Sequence, residues 1–219
     1  MRTFTPRWRI SPLTQTRINT LLPRHAIPEG ALEASAAFGR RAPVVLEIGS
    51  GHGAAAIAYA ATHPEADVIA AEVHVPGVAR MLARADELGL DNLWVERGDA
   101  LPLLRDRIPH GSLTAVHLFF PDPWPKKKHG KRRFIQQHSL ALIRSRLAPG
   151  GVLLVATDHE VYAAHIREQV AASGLWSLIE VDRPPWRPVD GFEAKGIAAG
   201  HRIHDFRLVP RLGGRGLQM

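Results

Sequence analysis

Val44-Val45-Leu46-Glu47-Ile48-Gly49-Ser50-Gly51-His52-Gly53 decides the fold. It is an apolar strand, broken only by Glu47, that runs into three glycines at alternate positions and then an alanine-rich helix to about Thr62. The same unit recurs along the chain. Further strands are predicted at Asp67–Val73, Leu93–Glu96, Leu113–Phe120, Val152–Thr157, Trp176–Val181 and near Ile203–Val209. Helices are predicted at Pro76–Leu88, near Leu101–Ile108, at Phe134–Leu147 and at Glu160–Ser173. Pro76 suits a first helical turn and Gly89 a helix end, while Pro149-Gly150-Gly151 reads as a turn and residues before Ile203 as a proline-rich loop. Near-continuous apolar strands alternating with helices specify an α/β fold, a mostly parallel sheet with helices on both faces.

A chain of 219 residues suits one domain, and 45% hydrophobic with 22% charged residues is the composition of a soluble globular protein. The net charge of +7 favours a polyanionic partner, with nucleic acid ahead of a membrane surface. Residues 1–41 carry Arg2, Arg7, Arg9, Arg17, Arg24, Arg40 and Arg41 against Glu29 and Glu33, so +5 of the +7 precedes the first strong strand. They read as a basic N-terminal arm with a short helix, ahead of one domain over 42–219. Cysteine is absent, which excludes disulfides and cysteine-based metal sites and suits a reducing cytoplasm. Twelve histidines form no HExxH pattern, and His201 and His204 read as surface or half-buried residues, so no metal is expected. Met1–Pro12 has no signal-peptide core, and no apolar run approaches the roughly 18 residues of a membrane span. A cytoplasmic protein without a membrane partner is the expectation, as monomer or homodimer.

In such sheets ligands bind beyond the carboxyl ends of the strands, which is where the informative residues fall. At Gly49, Gly51 and Gly53 the spacing is GxGxG, not the GxGxxG of dinucleotide sites, and Glu47 stands two residues ahead. A carboxylate there would repel a pyrophosphate and suits a ligand with an amine or sulfonium, such as S-adenosylmethionine. Glycines at 49 and 51 let the backbone approach that ligand. Glu72 ends the second strand, where it can accept from ribose hydroxyls; Asp99 ends the third, where it can accept from an adenine amino group. Each acid alone is ordinarily a helix cap or a solvated turn residue. Three in register with a glycine loop describe an adenosine pocket.

The fourth strand closes on Phe119-Phe120-Pro121-Asp122-Pro123-Trp124. Prolines on both sides fix the backbone of Asp122, and Trp124 offers a face on which a base stacks. Lys126, Lys127, Lys128, Lys131, Arg132 and Arg133 follow at once and would steer a phosphate backbone toward the pocket. Six phosphate contacts would give a log–log salt slope of about −4 to −5.

In order, EIGSGHG (47–53), AAEVHVPGVARML (70–82), RGDA (97–100), FFPDPWPKKKHGKRR (119–133), ATDHEVYAAHI (156–166) and GFEAKG (191–196) resemble the TrmB-type tRNA (guanine-N7)-methyltransferases over about Pro43–Arg207. The resemblance implies a Rossmann-like class I methyltransferase with a seven-stranded sheet whose last strand is antiparallel. It implies S-adenosylmethionine as donor and N7 of a guanosine in the variable loop of tRNA as acceptor. By position, Glu47, Glu72, Asp99 and Asp122 match the family's cofactor or active-site acids. Lys126 and Asp158 match substrate-binding positions, and Lys128, Lys131, Arg132 and Arg133 lie in an RNA-contacting segment. The family's late loop has a threonine, a basic residue, an aromatic and a glutamate. Here it reads Asp190-Gly191-Phe192-Glu193, so Phe192 and Glu193 are kept while the hydroxyl and the cation are lost.

Guanine N7 has an in-plane lone pair and no proton, so methylation there needs no general base. Asp122 is the candidate to stabilise the positive charge that appears on the base. Asp158 and Glu193 are candidates to accept from its N1–H and amino group. Three other readings compete. Another class I methyltransferase, acting on a different RNA base or on protein, is separated by nucleoside analysis of methylated tRNA. An NAD-type oxidoreductase is disfavoured by the glycine spacing and Glu47, and would show bound nicotinamide. A non-enzymatic tRNA-binding module would bind tRNA tightly without S-adenosylmethionine.

Overall fold

In the computed structural model, which describes residues 10–211, seven strands form one sheet. Arg2, Arg7 and Arg9 of the expected arm lie outside the described residues. The strands are β1 (Val44–Ile48), β2 (Asp67–Ala71), β3 (Leu93–Glu96), β4 (Leu113–Phe119), β5 (Leu147–Thr157), β6 (Trp176–Glu180) and β7 (His204–Pro210), in the spatial order β3-β2-β1-β4-β5-β7-β6. The first five are parallel, and β7 runs antiparallel to both β5 and β6. The chain builds outward from β1 to β3 and then crosses back to β4 on the other side of β1. Connections therefore leave β1 and β4 in opposite directions, opening a crevice where ligands bind in open α/β sheets.

The helices are α1 (Pro12–His25), α2 (Ala34–Phe38), α3 (Ala54–Thr62), α4 (Val75–Glu87), α5 (Ala100–Pro102), α6 (Gln137–Arg146), α7 (Glu160–Ser173) and α8 (Gly191–Ala198). Side-chain alternation on β2 divides the core between the two faces of the sheet. Val68 and Ala70 pack with α1, α3 and α4, while Ile69 and Ala71 join the layer of α5, α6 and α7. All four are essentially inaccessible, and a fully buried Val or Ile contributes about 1.5–3 kcal/mol. Ile18 of α1 is buried in the first of these layers, and the α1 residue His25 shares a hydrogen bond of 2.8 Å with the Leu93 carbonyl. No helix among the described residues is long and apolar enough to cross a membrane.

Boundaries differ from the sequence reading where side chains capture the backbone. Helix α6 starts at Gln137, not Phe134, because Ser139 Oγ accepts from Gln136 N at 2.9 Å and Ile135 N donates to the Tyr162 hydroxyl at 3.2 Å. The expected helix near 101–108 splits into α5 and a π-helical turn, Leu103–Arg107. The Pro149–Gly151 turn becomes a bulge within β5: Leu113 pairs with Leu147 but Ala115 with Val152, and Gly150 has φ 80°. Within the proline-rich loop, α8 was not anticipated. Its signal is Asp190 followed three residues on by Glu193, and Asp190 Oδ1 indeed caps it by accepting from Gly191 N at 2.6 Å.

Candidate active site

The glycine loop after β1 is held from the neighbouring strand. Gly49 N donates to the Ala71 carbonyl at 2.8 Å, and Gly51, at φ 59°, donates to Glu72 Oε2 at 2.6 Å. The other Glu72 oxygen accepts from His74 N at 2.7 Å. Glu72, expected to face ribose hydroxyls, thus also braces the loop. Beneath lies Glu47, only 3% exposed, on β1. Its register partner on β4 is His117, whose Nδ1 is 3.9 Å from Glu47 Oε2. Among the described residues, neither Glu47 Oε2 nor either ring nitrogen of His117 has a hydrogen-bond partner.

After β4 the chain turns through two residues in the left-handed region, Phe120 (φ 50°) and Trp124 (φ 42°), bracketing Pro121-Asp122-Pro123. Non-glycine residues are seldom found there, and such strain concentrates at functional sites. Arg133 holds the turn from below: Nε donates to the Pro123 carbonyl at 3.0 Å and Nη2 to that of Trp124 at 3.1 Å. At 8% exposure it is a structural clamp, which corrects its grouping with the phosphate-facing cations. Lys126 and the 3-10 helix Lys127–Arg132 leave Lys126, Lys127, Lys128, Lys131 and Arg132 exposed. The Arg132 guanidinium lies 4.6 Å from the Trp124 ring centroid.

The loop from 182 to 190 is pinned at two points. Trp186 packs against Tyr59 of α3 and His117 of β4, at ring distances of 4.8 and 5.1 Å. Arg187, 2% exposed, donates from Nε and Nη2 to Glu193 at 3.1 Å each and from Nη1 and Nη2 to Asp205 at 2.5 and 3.1 Å. Burial works to lower its pKa, but the hydrogen bonds it donates to Asp205 and Glu193, with their negative charge, outweigh it and raise the value above that of an ordinary arginine. Both Glu193 oxygens thus accept from Arg187, and the acid lies at the wall of the site, 2% exposed. Phe192 on α8 is instead 65% exposed. Asp190 Oδ2 stands 3.7 Å from His52 Nε2 across the gap between α8 and the glycine loop.

Two adjoining cavities result, of about 250 and 470 Å³. The smaller is bounded by Glu47, His52, Arg187, Asp190, Glu193 and Lys195; the larger by Glu72, His74, Asp122, Trp124, Arg132 and Phe134. Gly49, Gly51, Phe119, Phe120 and Phe192 line both. A buried, unpartnered Glu47 oxygen beside a glycine loop fits the cationic end of S-adenosylmethionine. Two of the anticipated acids lie apart. Asp99 caps α5, accepting from Leu101 N at 2.9 Å, and lines neither cavity. Asp158, 3.1 Å from His201 Nδ1, borders a separate pocket with Glu160 and His204. Arg187 and Trp186 escaped the sequence reading: nothing in a Pro-Pro-Trp-Arg-Pro stretch shows which side chains turn inward.

A family model whose description reads "Putative methyltransferase" matches residues 41–206. The tRNA (guanine-N(7)-)-methyltransferase of Chromohalobacter salexigens is 46% identical over 187 residues, covering 82% of this chain and 76% of that protein. The enzyme of the same name from Halorhodospira halophila is 42% identical, covering 97% of both chains. Among solved structures, the 16S rRNA methyltransferase KamB superposes with a TM-score of 0.59 at 16% identity, over 84% of this chain and 96% of that one. A variant 16S rRNA methyltransferase from Catenulisporales acidiphilia, solved with its cosubstrate SAM, gives 0.58 at 16% identity over 88% and 99%. These two likenesses show the class I methyltransferase fold.

Proposed function

The chain belongs to the tRNA (guanine-N(7)-)-methyltransferase family, and from that premise we propose how its site moves a methyl group from S-adenosylmethionine to N7 of a guanosine in the variable loop of tRNA. The observation that carries this reading is the joining of the two cavities over one floor. One reaches the buried Glu47, and the other is bordered by Asp122, Trp124 and Arg132, the last of these belonging to the segment that carries five exposed cations. The compartment proposed is the cytoplasm, which suits a chain without cysteine.

When bound, S-adenosylmethionine supplies a methyl group activated by a cationic sulfur. Glu47 would hold the cationic end of the donor, and Glu72 with the backbone of Gly49 and Gly51 its nucleoside part. Exposed Phe192 and half-buried Trp124 would offer faces against which the acceptor base stacks. The lone pair of N7 forms the new bond to the methyl carbon, and the electron pair of the breaking bond stays on sulfur. No proton moves, and the positive charge passes to guanine, next to the Asp122 carboxylate. Lys126, Lys128, Lys131 and Arg132 would grip the phosphates beyond.

The test is labelled methyl transfer to unmodified tRNA with nucleoside analysis and position mapping, on the wild type and on Asp122→Ala. Label in 7-methylguanosine of the variable loop, with kcat at least tenfold lower in the folded variant, is the expected result. Label in another base would overturn the substrate assignment. A folded Asp122→Ala enzyme with near-normal kcat would overturn the role of that carboxylate.

A further inference from the structure

Arg187 joins three of the elements that build the site. Its own segment follows the Trp186 anchor, Glu193 belongs to the first turn of α8, and Asp205 belongs to β7, paired with Ala156 of β5. The guanidinium carbon also lies 4.8 Å from the ring centroid of Phe119 and 5.5 Å from that of Phe120, the two aromatics that floor both cavities. One planar cation thus grips a carboxylate along each of two edges and lies near the floor with its body. Only a guanidinium has donors in a fork that serves two carboxylates at once.

We propose that Arg187 is a positioning residue for methyl transfer, setting α8 and its Phe192 over the Phe119–Phe120 floor so that the acceptor base meets the donor in register. The proposal rests on the function argued above. It follows from the geometry that α8, eight residues long and carrying two glycines, owes its placement to tertiary contacts and not to its own helical stability. Glu193 is the side chain through which it is held, and Phe192, the residue before it, lines both cavities. Misplacing an acceptor by about 1 Å costs on the order of a hundredfold in rate. None of the hydrogen bonds among Gly51, Glu72 and His74 involves Arg187, so the brace of the glycine loop is untouched when the clamp is altered, while Arg187 and Glu193 themselves border the cavity that reaches Glu47.

Arg187→Lys keeps the charge but replaces the fork with a single ammonium. Removing one partner of a buried ion network is strongly destabilising, so a second variant, Arg187→Met/Glu193→Gln/Asp205→Asn, removes all three charges together. For each folded variant, the Kd for S-adenosylmethionine by calorimetry and kcat at saturating tRNA are compared with wild type. The expected result, with both substrates saturating, is a kcat at least tenfold lower in both variants and a Kd that weakens by a clearly smaller factor than kcat falls. A kcat within twofold of wild type in either folded variant would refute the positioning role. So would a Kd that weakens in parallel with kcat, since the clamp would then serve the donor side. Absence of guanosine methylation by the wild type would strike the proposed function itself, which separates the two failures.

Discussion

Gly77 in the first turn of α4 gives a direct test of how the glycine loop is held. A β-carbon at this position would stand 2.5 Å from the Gly51 carbonyl oxygen, 3.0 Å from its carbon and 3.3 Å from His74 Nδ1. Ordinary contact begins at 3.4 Å, so the Gly51 carbonyl must move by about 0.9 Å, the difference from 2.5 Å. The obstruction is backbone and has no rotamer to adopt. In Gly77→Ala the helix itself gains about 1 kcal/mol of propensity, against an overpacking cost of about 1–3 kcal/mol. Net destabilisation of at most about 2 kcal/mol corresponds to a fall in Tm of up to about 8 °C for a chain of this size. The larger effect falls on the loop. Its bond from Gly51 N to the Glu72 carboxylate, 2.6 Å, is lost or stretched, and hydrogen bonds to charged groups are worth about 1.5–3 kcal/mol. That is about a tenfold to hundredfold weakening of S-adenosylhomocysteine binding. Titration calorimetry reads the affinity and scanning calorimetry the Tm. An alanine variant that melts higher than wild type and binds within threefold of it would refute the account of the loop.

Two further outcomes follow from buried and exposed chemistry. Burial of Tyr162 pushes its phenol up to about 12, above the ordinary value near 10. The folded state thus keeps a proton that the unfolded chain releases from about pH 10, so this stability is fully present below pH 10 and declines through pH 12, by roughly 3 kcal/mol in total. Urea midpoints at pH 9, 10 and 11 should diverge between wild type and Tyr162→Phe, and parallel pH profiles would sink this reading. On the surface, five exposed cations without Arg133 give a log–log salt slope for tRNA binding of about −3.5 to −4.5, and Lys128→Ala/Lys131→Ala should make it shallower by about 1.4–1.8. Filter binding between 50 and 200 mM salt decides; an unchanged slope would mean that these two lysines meet no phosphates.

Strand–helix alternation was legible because it rests on local apolar runs. Leu93–Glu96 and Glu160–Ser173 agree with the structure residue for residue. What was not legible depends on partners distant in sequence. Arg133 sits in a run of cations and only the fold reveals that two carbonyls of the preceding turn capture it. Glu193 reads as a free acid until Arg187 is found against it, and Arg187 reads as one more surface arginine until Asp205 is brought beside it. Glu47, Glu72 and Asp122 could be listed from strand ends because the parallel topology puts all such ends on one edge. Asp99 obeys the same rule of place, yet its side chain turns back to cap a helix.

Sheet order also governs when the enzyme comes into being during synthesis. Strands β1 to β5 find all their parallel partners among themselves, so this half can assemble while the rest is still on the ribosome. β6 is made next but has only β7 as a neighbour, and β7 must slip between β5 and β6 after everything before it has been translated. Until Pro210 emerges, the nascent chain carries an open β5 edge and a guanidinium still waiting for Asp205. The wall over the acceptor is therefore complete only once β7 has joined the sheet, and a chain cut short of β7 would have its glycine loop and the Arg187–Glu193 pair but lack Asp205, which ties that pair to the sheet.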